Sequence, residues 1–84
     1  MSVVAFDGFL IDTSIWIDAH VAAFKTRERS WRELLWEIRF YQEVVLANFA
    51  TRTPPDPLGY AHTKACVWAL KKTKLELEAG GQHA

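Results

Sequence analysis

The sequence is poor in cysteine, glycine and proline, and it has no surplus of either charge. Among 84 residues there are one cysteine, four glycines and three prolines. A single cysteine cannot form an intramolecular disulfide and is compatible with a reducing compartment, and we interpret Cys66 as a small buried hydrophobe on a helix. Ten basic and ten acidic residues cancel, so net charge provides no attraction toward nucleic acid or an anionic membrane.

Long apolar runs are also lacking. No stretch approaches the roughly 18 residues of a membrane span, and the opening MSVVAF has no basic region of the kind that begins a signal peptide. We therefore expect no membrane partner and a cytoplasmic location. We find no internal repeat, and the length predicts one domain, residues 1–84.

Large apolar side chains are abundant. Hydrophobic residues make up 50% of the chain, with four Trp, five Phe and two Tyr. This composition is too apolar for disorder, and a core of this size cannot easily hide so much apolar area. It favours a surface for a partner. The alternative is a monomer whose dense core absorbs every aromatic ring.

The stretch SWRELLWEIRFYQEVVLANFAT, residues 30–51, predicts a helix with two apolar faces. Ser30 and Glu33 form the capping-box pattern that fixes its start. At about 100° per residue, one stripe is typical of a core-facing surface and comprises Trp31, Leu34, Leu35, Ile38, Tyr41, Val45 and Phe49. The second, roughly opposite, comprises Trp36, Phe40, Val44 and Ala47. Because both faces need cover, we expect the rest of the chain to be organised around this helix.

The remaining segments predict a mainly α fold, with a hairpin and three helices. Asp7-Gly8, between two β-prone runs, predicts a hairpin over residues 3–11 that must lie on the helices or pair with another chain. A first helix is expected over residues 13–24, capped from within residues 12–14. Prolines stop the second helix, and Asp56-Pro57 is the start signal of a third, over residues 57–78.

The stretch FLIDTSIWID, residues 9–18, resembles the opening of PIN-domain nucleases, in which an apolar strand delivers an Asp before a helix. The resemblance implies that Asp12 binds magnesium or manganese, and that the cation activates water for phosphodiester cleavage. That family needs further carboxylates from later elements of a larger α/β domain. The alternative interpretation of Asp12 is a helix cap that follows a hairpin strand.

The longer beginning, MSVVAFDGFLIDTS, is similar to the first hairpin of proteasome-like N-terminal nucleophile hydrolases. That resemblance implies Ser2 as a nucleophile exposed by processing. No His or Cys pair has the spacing of a metal-ligand motif, and we predict neither a metal nor another cofactor. His62 and Cys66 stand four apart on one helix, which we interpret as ordinary helix packing.

Two clusters of basic residues suggest an alternative function, as a nucleic-acid-binding accessory protein. One runs through Arg27–Arg32 and the other through Lys64–Lys74. If they meet in space, they can contact phosphates, with aromatic rings stacking on bases. Glutamates interleave with both clusters, which favours a solvated, salt-bridged surface.

We expect the function to be non-catalytic. The pattern predicts a protein-interaction or assembly component that self-associates, as a homo-oligomer, or docks on a larger partner. Small, apolar, uncharged chains of this kind are typical of bacteriophage virion parts and phage-made inhibitors of host systems, for which the location is the host cytoplasm or the virion. The residues expected to bind the partner are those of the second apolar face with two tryptophans beside it: Trp36, Phe40, Val44, Trp16 and Trp68.

Overall fold

The computed structural model describes residues 3–14 and 16–80, with the backbone alone of Trp16. Two strands, β1 (Val3–Phe6) and β2 (Phe9–Asp12), precede a helix α1 (Trp16–Lys25). The second helix, α2, is continuous but not uniform, with an α-helical part (Trp31–Phe40), a π-helical turn (Tyr41–Val45) and a last α-helical turn (Leu46–Ala50). The third helix, α3, spans Pro57–Ala79. The predicted mainly α fold, with an N-terminal hairpin and three helices, is confirmed.

The hairpin forms at the predicted turn. The strands pair antiparallel from Val3 opposite Asp12 to Phe6 opposite Phe9. Asp7 and Gly8 both have positive φ, 52° and 85°, which a two-residue hairpin turn with the right twist requires. The inward side chains alternate along each strand, and Ile11 is buried in the core. The hairpin therefore lies on the helices.

The predicted caps of the second and third helices form. The Glu33 N–H donates to Ser30 Oγ at 3.1 Å, and the Ser30 N–H donates to Glu33 Oε1 at 3.2 Å. At the start of α3, the Gly59 N–H donates to Asp56 Oδ1 at 2.9 Å, with a proline in the first turn. These contacts satisfy amide groups that a helix leaves unpaired at its start.

The expectation that the helix of residues 30–51 is central is wrong, because the last helix has that place. Strands β1 and β2 and helices α1 and α2 all pack on α3. Its buried positions carry mostly small side chains, which let neighbours approach from several directions: Ala61, Thr63, Ala65, Cys66, Val67, Ala69, Leu70, Thr73 and Leu77. In the α-helical part of α2, the buried residues are Leu34, Glu37 and Ile38.

The fold is two helix layers thick. The Cα atoms extend over 42 × 27 × 19 Å, and a helix with its side chains is about 10–12 Å across. Helix α2 therefore has neighbours of its own chain on one side, where Leu34 and Ile38 face the core. Its other side faces outward.

Candidate functional site

The outward side of α2 carries three large apolar side chains in a row, Trp36, Phe40 and Val44, which we call the outward strip. They are 61%, 38% and 43% exposed. The rings of Trp36 and Phe40 stack with centroids 5.1 Å apart and planes 10° from parallel. Stacking holds two bulky side chains in one orientation, so a partner that covers them finds them already ordered.

Two shallow grooves follow the outward strip along α2. The first has a volume of about 460 Å³ and is lined by Arg32, Leu35, Trp36, Arg39, Phe40, Glu43 and Val44. The second has a volume of about 290 Å³ and is lined by Phe40, Val44, Val45, Asn48, Phe49 and Arg52. Since Phe40 and Val44 belong to both, the grooves form one surface along the helix.

Charged side chains border this surface without covering it. Arg39 Nη2 lies 3.7 Å from Glu43 Oε2, and these side chains are 76% and 63% exposed. Arg32 lines the same groove. An apolar centre with a polar, solvent-accessible rim is the usual anatomy of a protein–protein interface.

The π-helical turn lies under the outward strip. It begins directly after Phe40 and includes Val44, and the Leu46 N–H donates to the carbonyl of Tyr41. Isolated π turns within α-helices are rare and occur often at functional sites. The run YQEVV carries no periodicity that distinguishes a π turn from α-helix, so sequence reasoning missed it.

Of the two tryptophans predicted beside the outward strip, Trp68 lies away from it. The ring of Trp68, on α3, lies edge-on to Phe6 of the hairpin at 6.2 Å, with Lys72 Nζ 5.2 Å from its centroid. It lines a small groove with Val21 of α1, away from α2. The side chain of Trp16 lies outside the described part of the chain.

A polar cluster with the buried Glu37 at its centre lies between α1 and α2. Glu37 is only 6% exposed, although glutamate is mostly found on protein surfaces. Its carboxylate lies within ion-pair distance of the Arg29 guanidinium, and its Oε1 is 3.3 Å from His20 Nδ1. The Arg29 Nε also donates to Glu33 at 3.2 Å. These contacts join α1, the loop before α2 and α2 itself.

Burial keeps the neighbouring thiol and phenol protonated. Burial, and then the negative charge of Glu37, raises the pKa of Cys66 to about 12. Burial also raises the pKa of Tyr41 to about 12, and the negative charge of Glu37 adds to the rise. A thiol without thiolate character is a poor nucleophile. Cys66 is fully buried among core residues, as the interpretation of a small buried hydrophobe predicted.

Asp12, the residue suggested by the nuclease resemblance, is the last residue of β2, and its side chain bonds to the turn that follows. Asp12 Oδ1 accepts a hydrogen bond from the Ser14 N–H at 2.9 Å. Hydrogen bonds from the Ser14 side chain and backbone lower the pKa of Asp12. The described residues contain no group of three His, Cys, Asp or Glu side chains arranged to hold a metal ion. Ser2, the residue of the other resemblance, lies outside the described residues.

Much of the basic surface is neutralised by acidic neighbours. In the first cluster Arg29 pairs with Glu33 and Glu37. In the second, Lys64 pairs with Asp7 at 3.2 Å and Lys74 with Glu78 at 3.1 Å. A phosphate that approaches either cluster therefore meets carboxylates as well as cations.

Within the described ranges, every helix is too short or too polar to cross a lipid bilayer. Comparisons with protein-family models, with curated proteins and with solved structures found no match for this chain.

Proposed function

We propose that this protein is a protein-binding or assembly component that docks through the outward strip of α2. The observation that carries the proposal is the row of exposed, mutually ordered apolar side chains at Trp36, Phe40 and Val44. The chain leaves this row outside its own core, while Leu34 and Ile38 fill the core on the opposite side of the same helix. Exposing large aromatic rings to water is unfavourable, and covering them stabilises a complex.

The outward strip has the features of an interface centre. Trp is among the residues that contribute most to binding energy, particularly within a ring of polar contacts that excludes water. Arg32 and the Arg39–Glu43 pair lie at the edge of the strip. Truncating Trp36 to Ala is expected to weaken binding by about 2 kcal/mol or more.

A photo-crosslinking amino acid tests the proposal, because it captures whichever protein lies against the strip. It is placed at Phe40 in one variant and, as the matched control, at Leu75 in another. Leu75 is on α3 and is 67% exposed. Each variant is expressed in the cells that make this protein and irradiated. We expect a discrete protein adduct from position 40, weakened by Trp36→Ala, and none from position 75.

The same experiment can contradict the proposal. If position 40 yields no adduct, or if the two positions yield the same adducts, the outward strip is not a docking surface. The fold of the Trp36→Ala variant is checked by thermal unfolding. Trp36 is 61% exposed and its main ring contact is the stack on Phe40, so its truncation is expected to lower the free energy of unfolding by no more than about 1.5 kcal/mol.

A further inference from the structure

We infer that the partner of the outward strip is a second copy of this chain, bound antiparallel across a two-fold axis near Tyr41. The inference rests on the proposed function and adds the identity and orientation of the partner. It is carried by the order of charges and of side-chain sizes along α2. When a second copy of the helix runs in the opposite direction, its order of charges and sizes complements that of the first copy.

The first observation is the order of the charges. Arg39 and Glu43 are four residues apart on one edge of the outward strip and line the same groove. In a two-fold pair, if one residue contacts a second across the interface, the second also contacts the first. In an antiparallel pair, side chains on the same edge face each other at equal distances from the axis. An axis at Tyr41, midway between the charges, therefore places each Arg39 opposite the partner's Glu43.

The second observation is the order of the side-chain sizes. The half of the strip that precedes Tyr41 carries the bulky rings of Trp36 and Phe40. On the other side of Tyr41, the same surface continues through Val44 and Asn48, whose side chains are smaller. Trp36 lies five residues before Tyr41, so the axis that pairs the charges places its ring between the levels of the partner's Val44 and the partner's Asn48, away from the partner's Trp36. Helix α2, of 20 residues, is about 30 Å long, which gives both matches room in one contact.

A parallel pair gives neither match. Rotation about an axis along the helices brings opposite edges of the two strips together, so Arg39 and Glu43 lie on edges that do not meet. It also places each Trp36 at the level of the other Trp36. The antiparallel arrangement is therefore the one that the sequence of α2 favours.

Two charge reversals, Arg39→Glu and Glu43→Arg, test the inference. Each variant loses the ion pair within its own helix, and in a dimer of identical chains each brings like charges together twice. We expect the dissociation constant of each, measured by sedimentation equilibrium, to rise at least about tenfold. In an equimolar mixture, one chain contributes only carboxylates at these positions and the other only guanidinium groups. Native mass spectrometry should then show a heterodimer that binds at least as tightly as the unchanged protein.

The mixture separates contact between chains from stability within one chain, since neither variant regains its internal pair on mixing. The matched control is the pair Lys74→Glu and Glu78→Lys on α3, which removes an exposed ion pair of the same spacing. These variants should leave the dissociation constant of the dimer within about threefold, and mixing them should change nothing.

Three results overturn the inference. One is an unchanged protein that sediments as a monomer up to millimolar concentration. Another is a mixture of the two charge-reversal variants that binds no better than either alone. The third is a crosslinked adduct at position 40 that contains a different protein and no dimer of this chain. That third result leaves the proposed docking function intact, whereas failure to form any adduct removes both.

Discussion

Replacing Gly59 with Ala should destabilise this protein, although the same change in an ordinary helix stabilises it. Gly59 is the third residue of α3, and Ala is favoured over Gly within helices by about 1 kcal/mol. Here a Cβ at Gly59 would lie 2.6 Å from Phe49 Cε1 and 2.6 Å from Asp56 Oδ2. Both distances are far below van der Waals contact. The bare Cα is what lets the end of α2 approach the start of α3.

The magnitude follows from what the methyl group displaces. Asp56 accepts the Gly59 N–H and also pairs with Arg52 at 3.4 Å. Losing such a helix cap costs about 1 kcal/mol, and crowding a packed ring costs about 1–3 kcal/mol. After the gain in helix propensity is subtracted, Gly59→Ala should lower the free energy of unfolding by about 1–3 kcal/mol. At about 4–8 °C per kcal/mol for a domain of this size, the melting temperature should fall measurably.

The assay is urea denaturation followed by circular dichroism, with thermal unfolding in parallel. Phe49→Ala is the control background, because it removes the ring that the new methyl group meets. In that background the cost of Gly59→Ala should shrink, leaving the contribution of the Asp56 cap. A melting temperature for Gly59→Ala equal to or above that of the unchanged protein would refute the close approach of the two helices.

Three further predictions concern the core and the pH dependence. Leu70 is fully buried, so Leu70→Ala should cost about 2–5 kcal/mol in urea denaturation, whereas the exposed Leu75→Ala should cost less than about 0.5 kcal/mol. Hydrogen bonds from the Ser30 backbone N–H and from Arg29 lower the pKa of Glu33. Its contribution to stability is therefore present above its ordinary pKa of 4.5 and is lost as the pH falls through the lower, folded value. Glu33→Gln should make the free energy of unfolding less dependent on pH in this acidic range, and an unchanged pH dependence would contradict the assignment. The pKa of Cys66 rises with burial from 9.0 to about 12, so its contribution to stability is present below pH 9 and is lost as the pH rises toward 12. At neutral pH, a thiol reagent should react with Cys66 only when the fold opens transiently, far more slowly than with a free thiol, and rapid labelling of the native protein would show that the site is open.

Local signals in the sequence predicted the elements because their causes lie within a few residues. Asp7 and Gly8 adopt positive φ whatever the hairpin packs against, and the bonds between Ser30 and Glu33 close within one helical turn. The same is true of Asp56 and the proline that follows it. The predicted stripe also identified Leu34 and Ile38 correctly as core residues, but placed Leu35, which is 36% exposed, on the wrong side of the boundary.

The outward strip was itself predictable, since Trp36, Phe40 and Val44 recur at helical spacing. The sequence favoured this face for a partner, but periodicity alone shows only that a helix has two apolar faces and does not establish which face its own chain covers. The burial of Glu37 was likewise beyond the sequence. It depends on contacts with Arg29, which belongs to a loop, and with His20, which belongs to a different helix. A buried carboxylate is unfavourable without such partners.

By itself, the sequence of this protein determined most of the boundaries of its strands and helices, because turns and caps are local contacts that form in any packing. The first helix, expected from residue 13, begins at Trp16 in the structure. Only the tertiary structure decided which helix is central. Ala61, Ala65 and Ala69 gave a weak apolar pattern for α3, and the many aromatics of α2 gave a strong one. Small side chains nevertheless allow several neighbours to approach one helix closely. The outward strip of α2, which no element of the described chain covers, is therefore the surface that we propose for docking.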